Sequence, residues 1–408
     1  MFLDQFNIAR SKYVGQVDRD VRFCVGSYST GYSGSPPIDM NELISGYYDI
    51  DAKLDTDHRK SWEPQTEIVL ADMHLNDTPF PFCARSVLKR VVEAWRAKGL
   101  EPIVGYETEA NIFEKDGDGW KLYNKYRPQF YTTGAFSDPE SLIDDIWNMA
   151  DWCGLPLESV HSECEPSQFE FTMKCDKALK ATDNVFLFRQ MAREMLIKRG
   201  YLFSYMPVPK TRGWNALHFN ISFKDSQGNN VFATDSMSDI MKSSIAGLLH
   251  HHKSLAAIVA PTVNSYERVQ YHRTSGYWAN WSRGTRHCSI RVSTETGERA
   301  RIEYRVGDHS ANPYLALAAI LHAMLIGYEN QYILPDSETN EDLEAKGSDQ
   351  HTPHSLKESL EYLENDPVLS DALGKELIDH YINLKNHEIL EIGGKSIEEQ
   401  FDYYCYFI

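Results

Sequence analysis

The sequence predicts an α+β protein in two parts: a small β-rich unit over residues 1–78 and a large domain of mixed helix and strand over 79–408. Three observations predict it. Up to about residue 78, short apolar runs are interrupted by turn-rich pieces at 27–37 (SYSTGYSGSPP) and 53–64. From Ala84 the apolar spacing becomes helical, through SVLKRVVEAWRAKG, and stops at Gly99. Beyond that, helix-like and strand-like stretches alternate, as in a mixed α/β catalytic domain.

Taken in order, a strand is expected from Pro102 to about Phe113, then helices over 139–153, 182–199 and 237–259. Strands are expected at 168–173, 218–223, 288–293 and 300–306, between or after these helices. The polar, acidic stretch 337–351 reads as an exposed loop, and 355–391 as helical. The triplet His250-His251-His252 falls in a helix candidate and is expected at a surface or interface.

A formal charge of -18 with no offsetting basic stripe excludes a nucleic-acid binder. Seven scattered cysteines without a C-x-x-C pair read as buried thiols of a reducing compartment, not a disulfide framework. The N-terminus lacks the basic-then-apolar pattern of a signal peptide. The most apolar windows are short or interrupted, one by His250-His251-His252-Lys253 and one by His322, so no membrane span is expected. A cytoplasmic location is the resulting expectation.

Carboxylates carry the chemistry. Glu107-Thr-Glu109 lies in a strand-like run, which puts both acids on one face. Gln168-Phe-Glu170 alternates the same way, with Glu163 seven residues upstream of Glu170 and Glu165 as its rival. His218-Phe-Asn220-Ile-Ser222 places His, Asn and Ser together, and Arg301-Ile-Glu303-Tyr-Arg305 flanks an acid with two cations. The bland reading of the last is a surface ion-pair ladder. Together they suggest a sheet with one wet concave side, oxygen-rich and suited to Mg²⁺ or Mn²⁺; zinc would favour Cys and several His.

These elements, in this order, resemble the glutamine synthetase family. Glu107 to Phe113 resembles its E-x-E-F strand, and His161-Ser-Glu163 with Gln168-Phe-Glu170 its H-x-E…G-Q-x-E element. Met206-Pro-Val-Pro and Asn215-Ala-Leu-His218-Phe-Asn-Ile-Ser222 resemble M-P-K-P…G-x-G-M-H-x-H-x-S. Pro261-Thr-Val-Asn264-Ser-Tyr-Glu-Arg268 and Arg286-His-Cys-Ser-Ile-Arg291 resemble N-P-T-x-N-S-Y-x-R and N-R-S-x-x-I-R. Arg301-Ile-Glu303-Tyr-Arg305-Val-Gly-Asp308 resembles R-I-E-x-R-x-x-D, and the tail from Glu399 to Tyr404 resembles E-F-E-L-Y-Y.

The resemblance implies a β-grasp-like first domain and a catalytic domain built on a curved antiparallel sheet. It implies ATP and two or three Mg²⁺ or Mn²⁺ ions per site. Glu109, Glu163 and Glu170 would hold one ion, and Glu107, His218 and Glu303 the other. Arg286 and Arg291 would face the phosphates, with Arg301 and Ser222 near the nucleotide. Arg268 and Arg305 would grip glutamate, Arg305 joining Arg286 and Arg291 as catalytic cations. Arginine suits these tasks because its fixed fork pairs two oxygens at once. A homo-oligomer of hexameric rings, hexamer or dodecamer, is likewise implied.

The sequence departs from the family at the amine. Glutamine-forming members carry an acidic latch six residues after the arginine matched by Arg268; that position here is Thr274. The F-D-G-S-S loop acid has no match within 27–35, although Asp39 and Asp49 lie not far off. Trp214 and Ala216 replace glycines before the metal histidine and reshape the pocket. The expectation is an ATP-dependent ligase joining the γ-carboxylate of glutamate, or a close analogue, to an organic amine. The alternatives are ordinary glutamine synthesis from ammonia and a non-catalytic family member.

Overall fold

The computed structural model describes residues 1–15, 21–36, 41–124, 126, 130–210, 213–234, 236–271 and 276–408. The long strand Glu101–Asp116 is the spine of a nine-stranded sheet. The sheet runs Leu157–Ser162, Gln168–Lys177, Glu101–Asp116, Leu217–Lys224, Ile302–Tyr304, Ile290–Val292, Trp281–Arg283; Gly119–Leu122 and Tyr201–Ser204 also pair with the spine. All pairs are antiparallel except Trp281–Arg283 with Ile290–Val292.

Strict alternation builds this sheet. Phe169, Phe171, Phe219, Ile221, Val104, Tyr106, Ile302 and Tyr304 turn to one face and are buried, while the acids between them turn to the other. The helices Ala84–Ala97 and Ala178–Lys198 pack on strands of the sheet, and Pro313–Glu329 packs against both helices. Trp95 meets Phe223 at 4.3 Å between ring centroids. The apolar window at 315–327 lies within Pro313–Glu329, which is buried over nearly its whole length, as a helix apolar on every side must be. It crosses Asp239–His250 at a glycine contact: a Cβ on Gly247 would sit 2.1 Å from the Ala323 carbonyl oxygen.

A separate four-stranded antiparallel sheet (Val21–Cys24, Asp49–Leu54, Ala71–Leu75, Thr78–Pro79) occupies the first part of the chain. The first residues lie against the loop that precedes Pro313–Glu329: Asn312 Nδ2 donates to the Asp4 carbonyl at 2.8 Å, and Asn7 Nδ2 to that of His309 at 3.0 Å.

Several expectations change. The stretch 237–259 is two helices, Asp239–His250 and His252–Val259. The break at His251 lets two buried imidazoles find partners, His251 Nδ1 with Asp366 Oδ2 and His252 Nε2 with Thr352 Oγ1, each at 2.6 Å. Only His250 of the triplet stays exposed. The loop at 337–351 contains the helix Asn340–Ala345, opened by a Thr339–Asp342 capping box. Within the aromatic tail Phe401, Tyr404, Cys405 and Ile408 are buried against their own chain, with Tyr404 on Tyr32 and Phe401 on Phe113. All seven cysteines are free, but Cys24, Cys164 and Cys175 are exposed. Among the described residues no helix is long and apolar enough to cross a membrane.

Candidate active site

Register gathers the acids. Glu109 stands opposite Glu170 and Glu170 opposite His161; one step along, Glu107 stands opposite His218; Glu303 stands between Asn220 and Arg291. Directly opposed residues point the same way across neighbouring strands, so the wet face carries the acids in rows. Two clusters result. Ligand atoms of Glu107, His218 and Glu303 lie within 4.8 Å of one another, as do those of His161, Glu163 and Glu170.

In the first cluster His218 Nδ1 is 3.3 Å from Glu107 Oε2 and 3.4 Å from Glu303 Oε1. Asn220 Nδ2 donates to Glu107 Oε1 at 3.0 Å, and its own oxygen accepts from Arg301 Nε at 3.0 Å. Arg291 Nη1 donates to Glu303 Oε2 at 3.0 Å, and Arg305 donates to the other oxygen. Burial would raise the Glu107 carboxyl, but the hydrogen bond and charge of His218, with Asn220 and Arg305, outweigh it and bring it to about 2.

The second cluster is the opposite case. His161 Nε2 is 3.1 Å from Glu163 Oε1 and 3.9 Å from Glu170 Oε1. Burial, then the charges of Glu107, Glu109, Glu163 and Glu303, push Glu170 up to about 10. Glu109 lies in the same row but in neither cluster. Its Oε2 accepts from the Ala216 amide at 2.9 Å and from Gln168 Nε2 at 3.4 Å, and burial raises its carboxyl. Glu165 sits in the turn after Glu163 and is in neither cluster.

Three of the predicted arginines reach the first cluster or its Asn220 partner, and two do not. Arg291 and Arg305 hold Glu303, while Arg301 reaches Asn220 and Glu295. Arg268, 1% exposed, donates to the carbonyls of Val306 and Arg305 at 2.8 and 3.3 Å. Arg286 is exposed between two sheet strands, with no hydrogen bond or ion pair among the described residues. Among the described residues the buried Nε–H groups of Arg268, Arg291 and Arg305 have no partner, which suits a site built for an anion. Ser222 is half-buried on Leu217–Lys224, two residues beyond Asn220. Trp214 is half-buried, its carbonyl accepting from Gln168 Nε2 at 2.7 Å; Thr274 lies outside the described residues.

Sequence reasoning passed over His161, Asn220 and Gln168 as site residues. Asn220 and Gln168 stood inside alternating runs singled out for their neighbours, and His161 inside the H-x-E element.

The family described as glutamine synthetase, catalytic domain, matches residues 81–404. The chain belongs to the glutamine synthetase family. This is a family of carbon–nitrogen ligases. A glutamine synthetase of Thermococcus kodakarensis is 35% identical over 348 residues, covering 80% of this chain and 77% of that protein. A gamma-glutamylethanolamide synthetase of Streptomyces coelicolor is 29% identical over 362 residues, covering 86% and 78%. The solved structure of a GmaS/ADP complex superposes with a TM-score of 0.83 at 26% identity, covering 99% of this chain and 95% of that one. The α+β architecture and its large sheet are thus those of glutamine synthetases.

Proposed function

We propose that this ligase activates the γ-carboxylate of glutamate, or of a close analogue, as an acyl phosphate and passes the acyl group to an organic amine, making a γ-glutamylamide. The observation that carries the phosphoryl-transfer half is the pair of imidazole–carboxylate clusters on one sheet face. Their oxygen-rich donor sets fit Mg²⁺ or Mn²⁺. Glu107, His218 and Glu303 would hold one ion; Glu163 and Glu170, with Glu109 beside them, another. Bound there, such ions neutralise phosphate charge as a phosphoryl group moves.

The chain's own side chains bind and orient. Arg286 and Arg291 face the phosphates of ATP, while Arg301 and Ser222 sit toward the nucleoside. Arg268 and Arg305 grip the acid, and their unpaired buried N–H groups support that role. A γ-carboxylate oxygen attacks the terminal phosphorus of ATP and the bond to ADP breaks. The amine nitrogen then attacks the acyl carbon, phosphate leaves, and the nitrogen loses a proton. Positioning and charge neutralisation are the large effects in such a step.

Three features support an organic amine over ammonia. Thr274 stands where glutamine-forming members carry an acid, the 27–35 loop has none, and Trp214 replaces a glycine beside Gln168. A gamma-glutamylethanolamide synthetase among the relatives agrees with this reading. Removing a polar partner from a site shifts discrimination by orders of magnitude. The family resemblance supports a homo-oligomer of hexameric rings, six or twelve subunits.

Steady-state assays with ATP, Mg²⁺, glutamate and ammonium, methylamine, ethanolamine or putrescine test the proposal. At least one organic amine is expected to exceed ammonium in kcat/KM. Ammonium ahead of all three returns the chain to glutamine synthesis. ADP release that needs no amine and leaves a stable phosphorylated product overturns amide formation itself.

A further inference from the structure

Behind Glu109 the row of acids on the long strand gives way to amides. Asn111 is the next residue on the same face, and it stands opposite Gln168 in strand register. Asn215 comes in from the loop before Leu217–Lys224. Asn111 and Asn215 are wholly buried, and Gln168 nearly so. We propose that Asn111, acting through Asn215, is a positioning residue that holds the Trp214 indole as a wall of the acid-substrate pocket, and so sets which acid the ligase accepts. This rests on the ligase reading above and deepens it.

The bonds converge on the peptide that carries the indole. Asn215 Nδ2 donates to Asn111 Oδ1 and to the Met206 carbonyl, both at 2.8 Å, and its backbone N–H to the Pro207 carbonyl at 2.9 Å. Gln168 Nε2 reaches Asn215 Oδ1 at 3.2 Å and the Trp214 carbonyl at 2.7 Å. The next amide, that of Ala216, donates to Glu109 Oε2 at 2.9 Å. Residues 214–216 are thus fixed from both sides. With Asn215 turned into the core and Trp214 half-buried, the indole stands on the open side of the loop.

The loop borders the place where the acid is gripped. It continues into Leu217, whose N–H bonds the Gly307 carbonyl at 3.0 Å. One residue before Gly307, the Val306 carbonyl accepts from Arg268, the proposed acid-gripping cation. Arg268 and Glu109 lie near enough for each to shift the other's proton affinity. The amide pair itself is not the cheapest way to fill this space. Asn111 Nδ2 has no partner among the described residues, a cost that two apolar side chains of the same shape would avoid. What bonded amides add is a single geometry for the loop. An indole held still excludes a longer acid, and one free to swing does not.

The test compares kcat/KM for glutamate with that for 2-aminoadipate, its homologue longer by one methylene, each with ATP, Mg²⁺ and the best nitrogen donor of the wild type. Wild type is expected to favour glutamate by about tenfold or more, the scale of one methylene in a fitted pocket. Asn111→Leu should lower that ratio by about tenfold with KM for ATP unchanged, and Trp214→Gly should lower it as far. In the double variant Asn111→Leu adds nothing further, because its effect runs through the indole. A wild-type ratio near one, a ratio unmoved by either single substitution, or an equal further loss in the double variant overturns the proposal and leaves the ligase reading standing. No ATP-dependent amide from either acid sinks that reading and this inference together. Should Asn111→Leu fail to fold, as judged by its melting curve, a crystal structure of the wild type with ADP and glutamate decides. The indole packed against the acid supports the proposal, and the indole clear of it overturns it.

Discussion

The two clusters share a sheet face and nearly the same donors, yet their charges are balanced differently. Around Glu303 the chain supplies its own cations, Arg291 and Arg305, and around Glu107 it supplies His218 and Asn220. Around Glu163 and Glu170, among the described residues, it supplies the His161 ring and, to Glu163, the Cys164 amide. The consequence shows in Glu107 and Glu170, one carboxyl held at about 2 and the other at about 10. One group of acids is neutralised by the chain itself; the other keeps a carboxyl that burial and its acidic neighbours hold far above the ordinary range. Like charges crowded away from water are costly, and a divalent cation is the direct remedy.

Glu303→Gln and Glu170→Gln break this comparison most sharply. Each is expected to lower kcat by roughly two to three orders of magnitude, the scale for removing a key electrostatic group. Their effects on stability should differ in sign. Glu303→Gln leaves two guanidinium groups facing each other without their anion and should cost about 3–5 kcal/mol, since a buried pair has lost one partner. Glu170→Gln removes the cost of holding a proton on that acid and should raise the Tm of the metal-free protein at neutral pH. Calorimetry in the presence of a chelator checks both, and a shared sign would erase the asymmetry.

pH sharpens the same contrast. Glu170 is held near 10 in the metal-free fold against an ordinary 4.5. Between those values the folded chain keeps a proton that the unfolded chain has released, so its contribution to stability falls as pH rises. Glu107, held near 2 against 4.5, contributes stability present above 4.5 and lost as pH falls toward 2. The Tm of the chelated protein should therefore decline from about pH 5 to about pH 9, and saturating Mn²⁺ should flatten that slope. Differential scanning fluorimetry across that range is sufficient; a slope unchanged by Mn²⁺ would separate the acids from metal binding.

The smallest expected effect is at Asn220, which donates to Glu107 and accepts from Arg301. Asn220→Leu should raise KM for ATP by about tenfold, the loss of one or two hydrogen bonds to charged groups, with KM for glutamate little changed. An equal rise in both constants would mean general disruption of the sheet.

Much of this site is written locally. A strand has period two, so Glu107-Thr-Glu109, His218-Phe-Asn220 and Arg301-Ile-Glu303 each declare a shared face from spacing alone. What spacing cannot declare is which strands lie side by side. His161 escaped notice because its partnership with Glu170 depends on the turn at 163–167, where buried Ser167 takes a φ of +63° and its hydroxyl receives the Asn124 amide at 2.7 Å. The burial of Arg268 escaped for a similar reason: its helix Val263–Tyr271 was legible as a motif, but the carbonyls it bonds arrive from residues 305 and 306. The helix break at His251 depends on Asp366, 115 positions from His251, and Thr352, 100 positions from His252. Trp214 and Thr274 were singled out by departure from a family pattern, which says what is missing more readily than what replaces it.

The tie between Asn7 and His309 spans 302 positions, and that between Asp4 and Asn312 spans 308. Such closures are entropically expensive and slow the search for the native state. Because Glu303 and Arg305 lie beside this clasp, the acidic face reaches its working geometry only after most of the polypeptide has left the ribosome. The strand bearing Glu107 and Glu109 finds all its own partners within residues 119–224, so the acid that must travel furthest along the chain to join this face is Glu303.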